Sequence, residues 1–505
     1  MNLMTLFNEN VKNIFNMPAI TMSNREETWS YVYLNSRVAQ VAYALKQQNI
    51  GKGDGVLILI PMSFELYTLL LALFKLGAVA VFIDPQSSKK HIEHCIKKYP
   101  LKAFVGVKKA HALRLLNPFI RKIPIQITLG YLPMTQNFYD YYDSHKFLAD
   151  NTPVDGNDAA LITFTSGSTG KPKAAVRTHA FLVQQYEVLR KNMLFGLGEV
   201  DISTLPVFVL ANLAAGMHSV IPNVNLLKPA EVDGEVLLND IIKYKATRFG
   251  GSPVLVNKIT SCIKDGINTS LTHIYMGGGP VFPNDLHRVQ NKFLNSQVYG
   301  LYGSTEAEPI AHMSTKDYST EKQEATQKGK GLFVGKPVSD ISVKIIDSSK
   351  LTKNITSLSS IECNIGEIIV SGSHVLKGYL NGEGDSENKI HINNLIWHRT
   401  GDAGYFDDNG DLWLLGRYNQ RVESNDTFIY PFAIEAAFYD KGYKTALVKH
   451  NNKITLVVEK NKPSDDLLQM FDIQDYIIVN SLPRDKRHNA KIDYAELKKI
   501  LNQSK

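Results

Sequence analysis

The apolar positions of this chain cluster in short unbroken runs instead of alternating. Residues 54–62, DGVLILIPM, are one such run and predict a buried strand; residues 64–76 continue as an apolar helix, and Ala78 to Ile83 form the next strand, ended by Asp84-Pro85. A strand apolar on both faces belongs in a parallel sheet covered by helices. The pattern recurs at Ala103 to Val107 and at Gln126 to Leu129. A polar segment at 143–158 leads to another apolar run, Leu161 to Phe164, and Phe181 to Met193 suits a helix. Further on, Leu412 to Leu415, Thr445 to Val448 and Ile454 to Val458 read as strands, and a last helix starts near Asp493.

Bulk properties narrow the class. With 505 residues, 44% hydrophobic and 21% charged, the chain is long enough for more than one domain with large buried cores. The net charge of +7, from 56 basic and 49 acidic residues, is a small imbalance that suits an anionic ligand or weak attraction to a membrane surface. No Lys/Arg run is dense enough to argue for nucleic acid. Cys95, Cys262 and Cys363 are far apart and odd in number, so they form neither a disulfide framework nor a metal cluster, and a reducing compartment follows. The N-terminus, MNLMTLFNENVKNIF, lacks the pattern of a signal peptide. The longest apolar stretch, Leu66 to Phe74 resuming at Ala78 to Ile83, is interrupted by Lys75 and Gly77, so it reads as helix then strand and not as a membrane span. Together these features predict a soluble cytoplasmic protein with no transmembrane segment.

Candidate chemistry concentrates at 161–179, LITFTSGSTGKPKAAVRTH. After the strand, Thr165, Ser166, Gly167, Ser168, Thr169 and Gly170 place four hydroxyls and two glycines in six positions, followed by Lys171-Pro172-Lys173. Glycine lets backbone N–H groups approach phosphate oxygens, the hydroxyls donate further hydrogen bonds, and Lys173 adds a point charge. The Walker pattern fails because Pro172 follows Gly170-Lys171, and G-x-G-x-x-G is absent. A flexible Ser/Gly linker would need neither the preceding strand nor the lysine-proline-lysine exit. At Ile274 to Gly279, IYMGGG, a strand runs into three glycines, where a flat ligand can lie against the backbone. Glu306 directly follows a Tyr-Gly-Ser-Thr turn. A lone carboxylate is ordinarily a solvated surface charge, but beside an independent phosphate loop it reads as a metal ligand, since Mg²⁺ takes one or two carboxylates plus phosphate oxygens.

TSGSTGKPK resembles the phosphate loop of the adenylate-forming superfamily of acyl-CoA synthetases, luciferases and peptide-synthetase adenylation domains, and further motifs extend the resemblance over nearly the whole chain. It implies an α/β fold: a large N-terminal domain of stacked α/β subdomains, 1–417, carrying the AMP-binding site, and a small mobile α+β C-terminal domain, 418–505. It implies ATP as substrate and Mg²⁺ as its partner. In that reading Thr165, Ser166, Gly167, Ser168, Thr169 and Lys173 hold phosphate, and Gly278 and Gly279 form the wall of the adenine pocket. Val298 to Glu306, which includes Gly300, Leu301 and Tyr302, closely matches the family's Y-G-x-T-E segment, with Tyr302 stacked on adenine, Thr305 on the α-phosphate and Glu306 on Mg²⁺. Asp402, in Thr400-Gly401-Asp402, takes the ribose hydroxyls, and Arg417 lies near ribose and phosphate. Lys491 aligns with the catalytic lysine. Where relatives often carry a histidine after an aromatic, this chain has Phe208-Val209, which suits an acyl chain or, equally, simple core packing.

Departures from the family are informative. Pro483 and Lys491 are separated by two extra residues and Ala490 replaces a glycine; the hinge reads Tyr418-Asn419-Gln420-Arg421-Val422-Glu423; the following turn reads Ser424-Asn425-Asp426, with Asp426 where CoA ligases pass pantetheine; and the small domain is short. Arg487-His488-Asn489-Ala490-Lys491-Ile492, Thr305-Glu306-Ala307-Glu308-Pro309 and Lys109-Ala110-His111…Arg114-Leu115-Leu116 resemble the olefin β-lactone synthetase branch and its fatty-acid-ligase-like relatives. The resemblance implies an AMP-forming ligase that converts a hydrophobic carboxylic acid to its acyl-adenylate, after which an internal β-hydroxyl displaces AMP. The alternatives are a fatty acyl-CoA ligase, in which CoA enters as the second substrate, and a non-catalytic nucleotide-binding relative. The partner is a small-molecule carboxylic acid.

Overall fold

A computed structural model describes residues 2–84, 87–143, 145–166, 172–193, 195–264, 268–352, 355–424, 427–484 and 492–503. The chain forms two compact units, Met1–Asn223 with Ser373–Lys389, and Val224–Gly372 with Ile390–Lys505.

In the first unit the apolar runs become a sheet. Its strands are β1 (Gly55–Leu59), β2 (Val79–Phe82), β3 (Leu101–Val107), β4 (Ile125–Leu129), β5 (Ala159–Ser166) and β6 (Pro172–Thr178), in the order β4-β3-β1-β2-β5-β6, with the short strand Gln136–Asn137 outside β4. All neighbours are parallel except β5 and β6. Helix α1 (Phe64–Leu76) joins β1 to β2. Ser63 caps it by accepting from the Leu66 N–H at 3.3 Å, and Gly77, at φ 67°, closes it in the left-handed region open to glycine. Every residue of α1 is buried, Lys75 included. The Lys75 ammonium donates to the Ala149 carbonyl at 2.7 Å and to Asn151 at 3.1 Å, and burial lowers its pKa. The cation that breaks the apolar run is thus a satisfied core group.

Helix α2 (Lys89–Lys98) precedes β3, and three one-turn helices, α3 (Lys108–His111), α4 (Leu113–Leu116) and α5 (Pro118–Arg121), connect β3 to β4. Leu57, Val81, Phe104, Ile120 and Ile162 share the core beneath them. Helix α6 (His179–Asn192) follows β6. A second set of strands in this unit pairs Pro18–Met22 with His218–Ile221 in parallel, and His218–Ile221 with Val200–Ser203. Helix α7 (Pro206–Ala215), with proline in its first turn and Gly216 at φ 77° after its last, lies between Val200–Ser203 and His218–Ile221 in sequence.

The second unit starts with three parallel strands, β7 (Arg248–Gly251), β8 (His273–Met276) and β9 (Gln297–Ser304). The sheet then turns antiparallel through β10 (Ala307–Ser314), β11 (Leu332–Pro337), β14 (Leu412–Arg417), β13 (Leu395–Phe406) and β12 (Gly366–Gly372), with Ile341–Ile346 at its edge. Toward the C-terminus, β15 (Thr445–His450), β16 (Lys453–Glu459) and β17 (Asp475–Val479) form a three-stranded sheet. Helix α8 (Pro431–Asp440) packs on one of its faces through Phe438 against Leu447 and Leu456, and α9 (Tyr494–Gln503) packs through Leu497 and Leu501 against Val448 and Val457. Between Thr445 and His450 buried residues pack alternately toward α8 and α9, as a strand covered on both faces requires.

Candidate nucleotide site

In the second unit β8 runs into Gly277-Gly278-Gly279, beside the carboxyl end of β9; the register pairs Met276 with Gly300. Gly278 sits at φ 79°. A Cβ on Gly300 would lie 2.9 Å from the Met313 Cε, and one on Gly277 would touch the Leu301 Cβ at 3.4 Å. The absence of side chains at these positions leaves a flat backbone wall. It bounds a cavity of about 280 Å³ lined by Gly278, Gly279, Gly300, Leu301 and Tyr302, with Asp402 and Arg417 and with Phe432, Glu435 and Tyr439 of α8.

Tyr302, Asp402 and Arg417 are joined directly. The Tyr302 hydroxyl donates to the Asp402 Oδ2 at 2.9 Å, and the Arg417 guanidinium stands 3.3 Å from the Asp402 Oδ1. Burial, reinforced by the Asp402 charge, raises the Tyr302 phenol well above its ordinary pKa, so it stays a proton donor. The backbone explains the meeting. Asp402 and Arg417 are cross-strand partners of β13 and β14, 15 residues apart in sequence. Thr400 ties down the turn: its Oγ1 accepts from the Asp402 N–H at 3.0 Å and donates to the Ile368 carbonyl at 2.8 Å, and its carbonyl accepts from Arg417 at 3.1 Å. Each carboxylate oxygen retains lone-pair capacity beyond these bonds, so Asp402 can accept from a vicinal diol while its orientation is already fixed.

Thr305 and Glu306 are the two loop residues of the hairpin between β9 and β10, in which Ser304 pairs with Ala307. The Glu306 N–H donates to the Ser304 Oγ at 3.2 Å. Among the described residues, no group of three or more His, Cys, Asp or Glu side chains could hold a metal ion.

The expected phosphate loop lies in the first unit. Strands β5 and β6 form its base, with Thr165 opposite Lys173 and Ser166 opposite Pro172. Gly167, Ser168 and Thr169 lie outside the described residues, as do the side chains of Thr165 and Ser166. The Lys173 side chain is buried; its ammonium stands 5.7 Å from the centre of the Tyr379 ring. Its stem runs against Gly384, where an added Cβ would come within 3.0 Å of the Lys173 Cδ and Cε. The Gly378-Tyr379 turn thus shelves the lysine, helped by a bridge from Tyr379 to Ala175 in β6. Phe208 and Val209 are both buried in α7, Val209 fully.

Lys491 and Asp426 lie outside the described residues. The residues flanking 485–491 are described: Arg484 and Ile492 form a β-bridge and line the cavity, and the Asp493 N–H donates to the Pro483 carbonyl at 2.9 Å. Sequence reasoning missed Glu435. Its Oε1 accepts from the Leu447 N–H at 2.7 Å and from the Tyr494 hydroxyl, and burial raises the carboxyl from 4.5 to about 7. The available signal was a single carboxylate inside the apolar helix PFAIEAAF.

A glycine wall beside parallel strands and a fixed tyrosine–carboxylate–arginine group thus line one cavity of the second unit. The chain belongs to the AMP-binding enzyme family, whose model matches residues 7–380. It is 30% identical to an olefin β-lactone synthetase of Stenotrophomonas maltophilia, covering 94% of this chain and 92% of that protein. A second olefin β-lactone synthetase, from Xanthomonas campestris, is 31% identical over 85% of this chain and 79% of its own length. Among solved structures, ATP-bound MatB of Rhodopseudomonas palustris superposes with a TM-score of 0.79 at 21% identity, covering 99% of each chain, which shows a shared fold.

Proposed function

We propose that this enzyme activates a hydrophobic carboxylic acid with Mg·ATP and then closes the acyl-adenylate to a β-lactone. The observation that carries the reading is the near full-length similarity to an olefin β-lactone synthetase. In the first step a carboxylate oxygen attacks the α-phosphorus, the bond from that phosphorus to the bridging oxygen breaks, and pyrophosphate leaves. In the second step the substrate's own β-hydroxyl oxygen attacks the acyl carbon, the bond to AMP breaks, and the hydroxyl proton is released. Holding the two groups within one molecule supplies much of the second step by proximity.

The chain's residues have distinct tasks in this reading. The glycine wall and Tyr302 take the adenine, Asp402 takes the ribose hydroxyls, and Arg417 fixes Asp402 and faces the phosphate. Thr305 binds the α-phosphate. Glu306 would hold Mg²⁺, which would supply charge neutralisation for the triphosphate. Thr165, Ser166, Gly167, Ser168, Thr169 and Lys173 bind the leaving pyrophosphate. Lys491 stabilises charge developing at the α-phosphate; it is carried by residues 418–505, which act as the small lid over the site. Phe208 and Val209 contribute to the apolar surroundings of the acyl chain.

Phosphoryl and adenylyl transfer depend on positioned charge more than on an acid or base. Losing one preorganised donor typically costs ~10²–10³ in rate. Lys491→Ala is therefore expected to slow acid-dependent exchange of labelled pyrophosphate into ATP by about that factor, while ATP binding by calorimetry stays near wild type. Wild-type exchange in the variant would remove Lys491 from the mechanism.

A further inference from the structure

Helices α3, α4 and α5 leave the carboxyl end of β3, and residues 130–135 leave the carboxyl end of β4. The two strands are parallel neighbours with Val107 opposite Leu129, so both connections emerge at one edge of the sheet. They touch: the Lys108 stem lies 3.2 Å from where a Cβ on Gly130 would be. The inner side of this surface is firmly held. His111 is buried, its Nε2 2.9 Å from the Ile127 carbonyl, and Ile120 is fully buried. Asn117 caps α5 by accepting from the Phe119 and Ile120 N–H groups.

The outer side is apolar and uncovered. Leu115 is 81% exposed, Leu116 65%, Tyr131 77% and Met134 91%. The sequence leading into and through these helices is rich in positive charge. Residues 89–122 hold ten Lys and Arg against a single acidic residue, Glu93, a net of +9 in a chain whose total is +7. Lys98 pairs with Glu383 and Lys102 with Asp54. Among the described residues, the other eight make no ion pair with a carboxylate. Lys97 of α2 stands over the Phe119 ring of α5 at 4.3 Å, which joins the basic face of α2 to the same surface.

Exposed leucines and an amphipathic tyrosine on a rigid support, with Lys108 and Arg114 beside them and Lys97 on the adjoining helix, match the chemistry of a bilayer interface: cations meet lipid phosphates while short apolar tips enter the headgroup boundary. We propose that this face docks the enzyme onto an anionic membrane surface. The excess of positive charge selects the anionic lipid, and the leucines distinguish a bilayer from a merely acidic protein surface, which would leave them in water. None of these residues belongs to the nucleotide site, so the inference stands independently of the lactone reading.

The test is co-sedimentation of the full chain with vesicles of phosphatidylcholine alone, or mixed with about one-third phosphatidylglycerol. We expect sedimentation only with the mixed vesicles, lost in about 1 M salt, where the Debye length is ~3 Å. Leu115→Ser with Leu116→Ser, and separately Lys108→Glu with Lys109→Glu, should each weaken vesicle binding by roughly tenfold or more. Acid-dependent pyrophosphate release in free solution should be unchanged in both, which shows that the variants fold. The same charge reversals at Lys449 and Lys453, in the other unit, should leave vesicle binding intact. No sedimentation with anionic vesicles, equal loss in the Lys449/Lys453 control, or wild-type binding by the leucine variant would each overturn the proposal; the last would indicate an acidic macromolecular partner instead of a bilayer.

Discussion

Asp402 is the residue on which the site turns. One of its oxygens accepts from Tyr302 and the other faces Arg417. A hydrogen bond to a charged group contributes about 1.5–3 kcal/mol, so Asp402→Ala is expected to weaken ATP binding roughly 10–100-fold by calorimetry, both by removing the acceptor and by releasing its two neighbours. Tyr302→Phe keeps the ring and loses only the hydroxyl link, and should cost about tenfold at most. Equal affinities for Asp402→Ala and wild type would exclude the ribose role.

Glu435 makes a different prediction. Its carboxyl keeps its proton up to about pH 7 in the folded chain, against 4.5 ordinarily. Between those values the folded state binds a proton that the unfolded state has lost, so this group's contribution to stability is greatest below pH 4.5 and declines as pH rises toward 7, by ~1.4 kcal/mol per unit. Glu435→Gln keeps an acceptor for Leu447 and Tyr494 and cannot ionise. It should melt above wild type at pH 8 and lose that advantage near pH 5. A pH-independent difference in melting temperature would contradict the assignment.

At the scale of elements, the legible parts of the fold were those with one unambiguous period. α1 and β2 fall within a residue of the expected bounds, and β1 starts one residue late and ends three early, at Leu59, because unbroken apolar runs leave little alternative. β6 was not foreseen: PKAAVRT opens with proline and lysine, and it becomes a strand by pairing back on β5. The antiparallel strands β10 and β11 were equally unforeseen: β10 pairs back on β9 through the two-residue turn at Thr305-Glu306, legible in the sequence only as a site motif, and β11 carries a short apolar run, Leu332-Phe333-Val334, that pairs with β14 about 80 residues later. Glycine motifs were legible because their backbone role is local. The Glu435–Tyr494 contact was not, because it joins residues 59 positions apart.

Gly416 shows how an element sets the site. It sits at φ 108°, one residue before Arg417, and an added Cβ would lie 2.5 Å from the Phe432 Cβ. Gly416→Ala therefore combines backbone strain with overpacking, each costing about 1–3 kcal/mol. A lowered melting temperature together with weakened ATP binding is expected. A fall in stability with unchanged ATP affinity would mean that β14 does not position Arg417 as argued.

Over the whole molecule, the AMP-binding enzyme family model covers residues 7–380, and the fold is shared with ATP-bound MatB over 99% of the chain. No helix among the described residues is long and apolar enough to cross a membrane. Sequence departures at Ser424-Asn425-Asp426, and the similarity to olefin β-lactone synthetases, favour an internal nucleophile over CoA. The most direct measurement is mass spectrometry of the products formed from Mg·ATP and a long-chain 2-alkyl-3-hydroxy acid, or a plain fatty acid, each with and without CoA. The account predicts, from the hydroxy acid and without CoA, a product lighter than the substrate by one water, with AMP and pyrophosphate in equal amounts. An acyl-CoA formed from either acid, with no lactone in the absence of CoA, would contradict it.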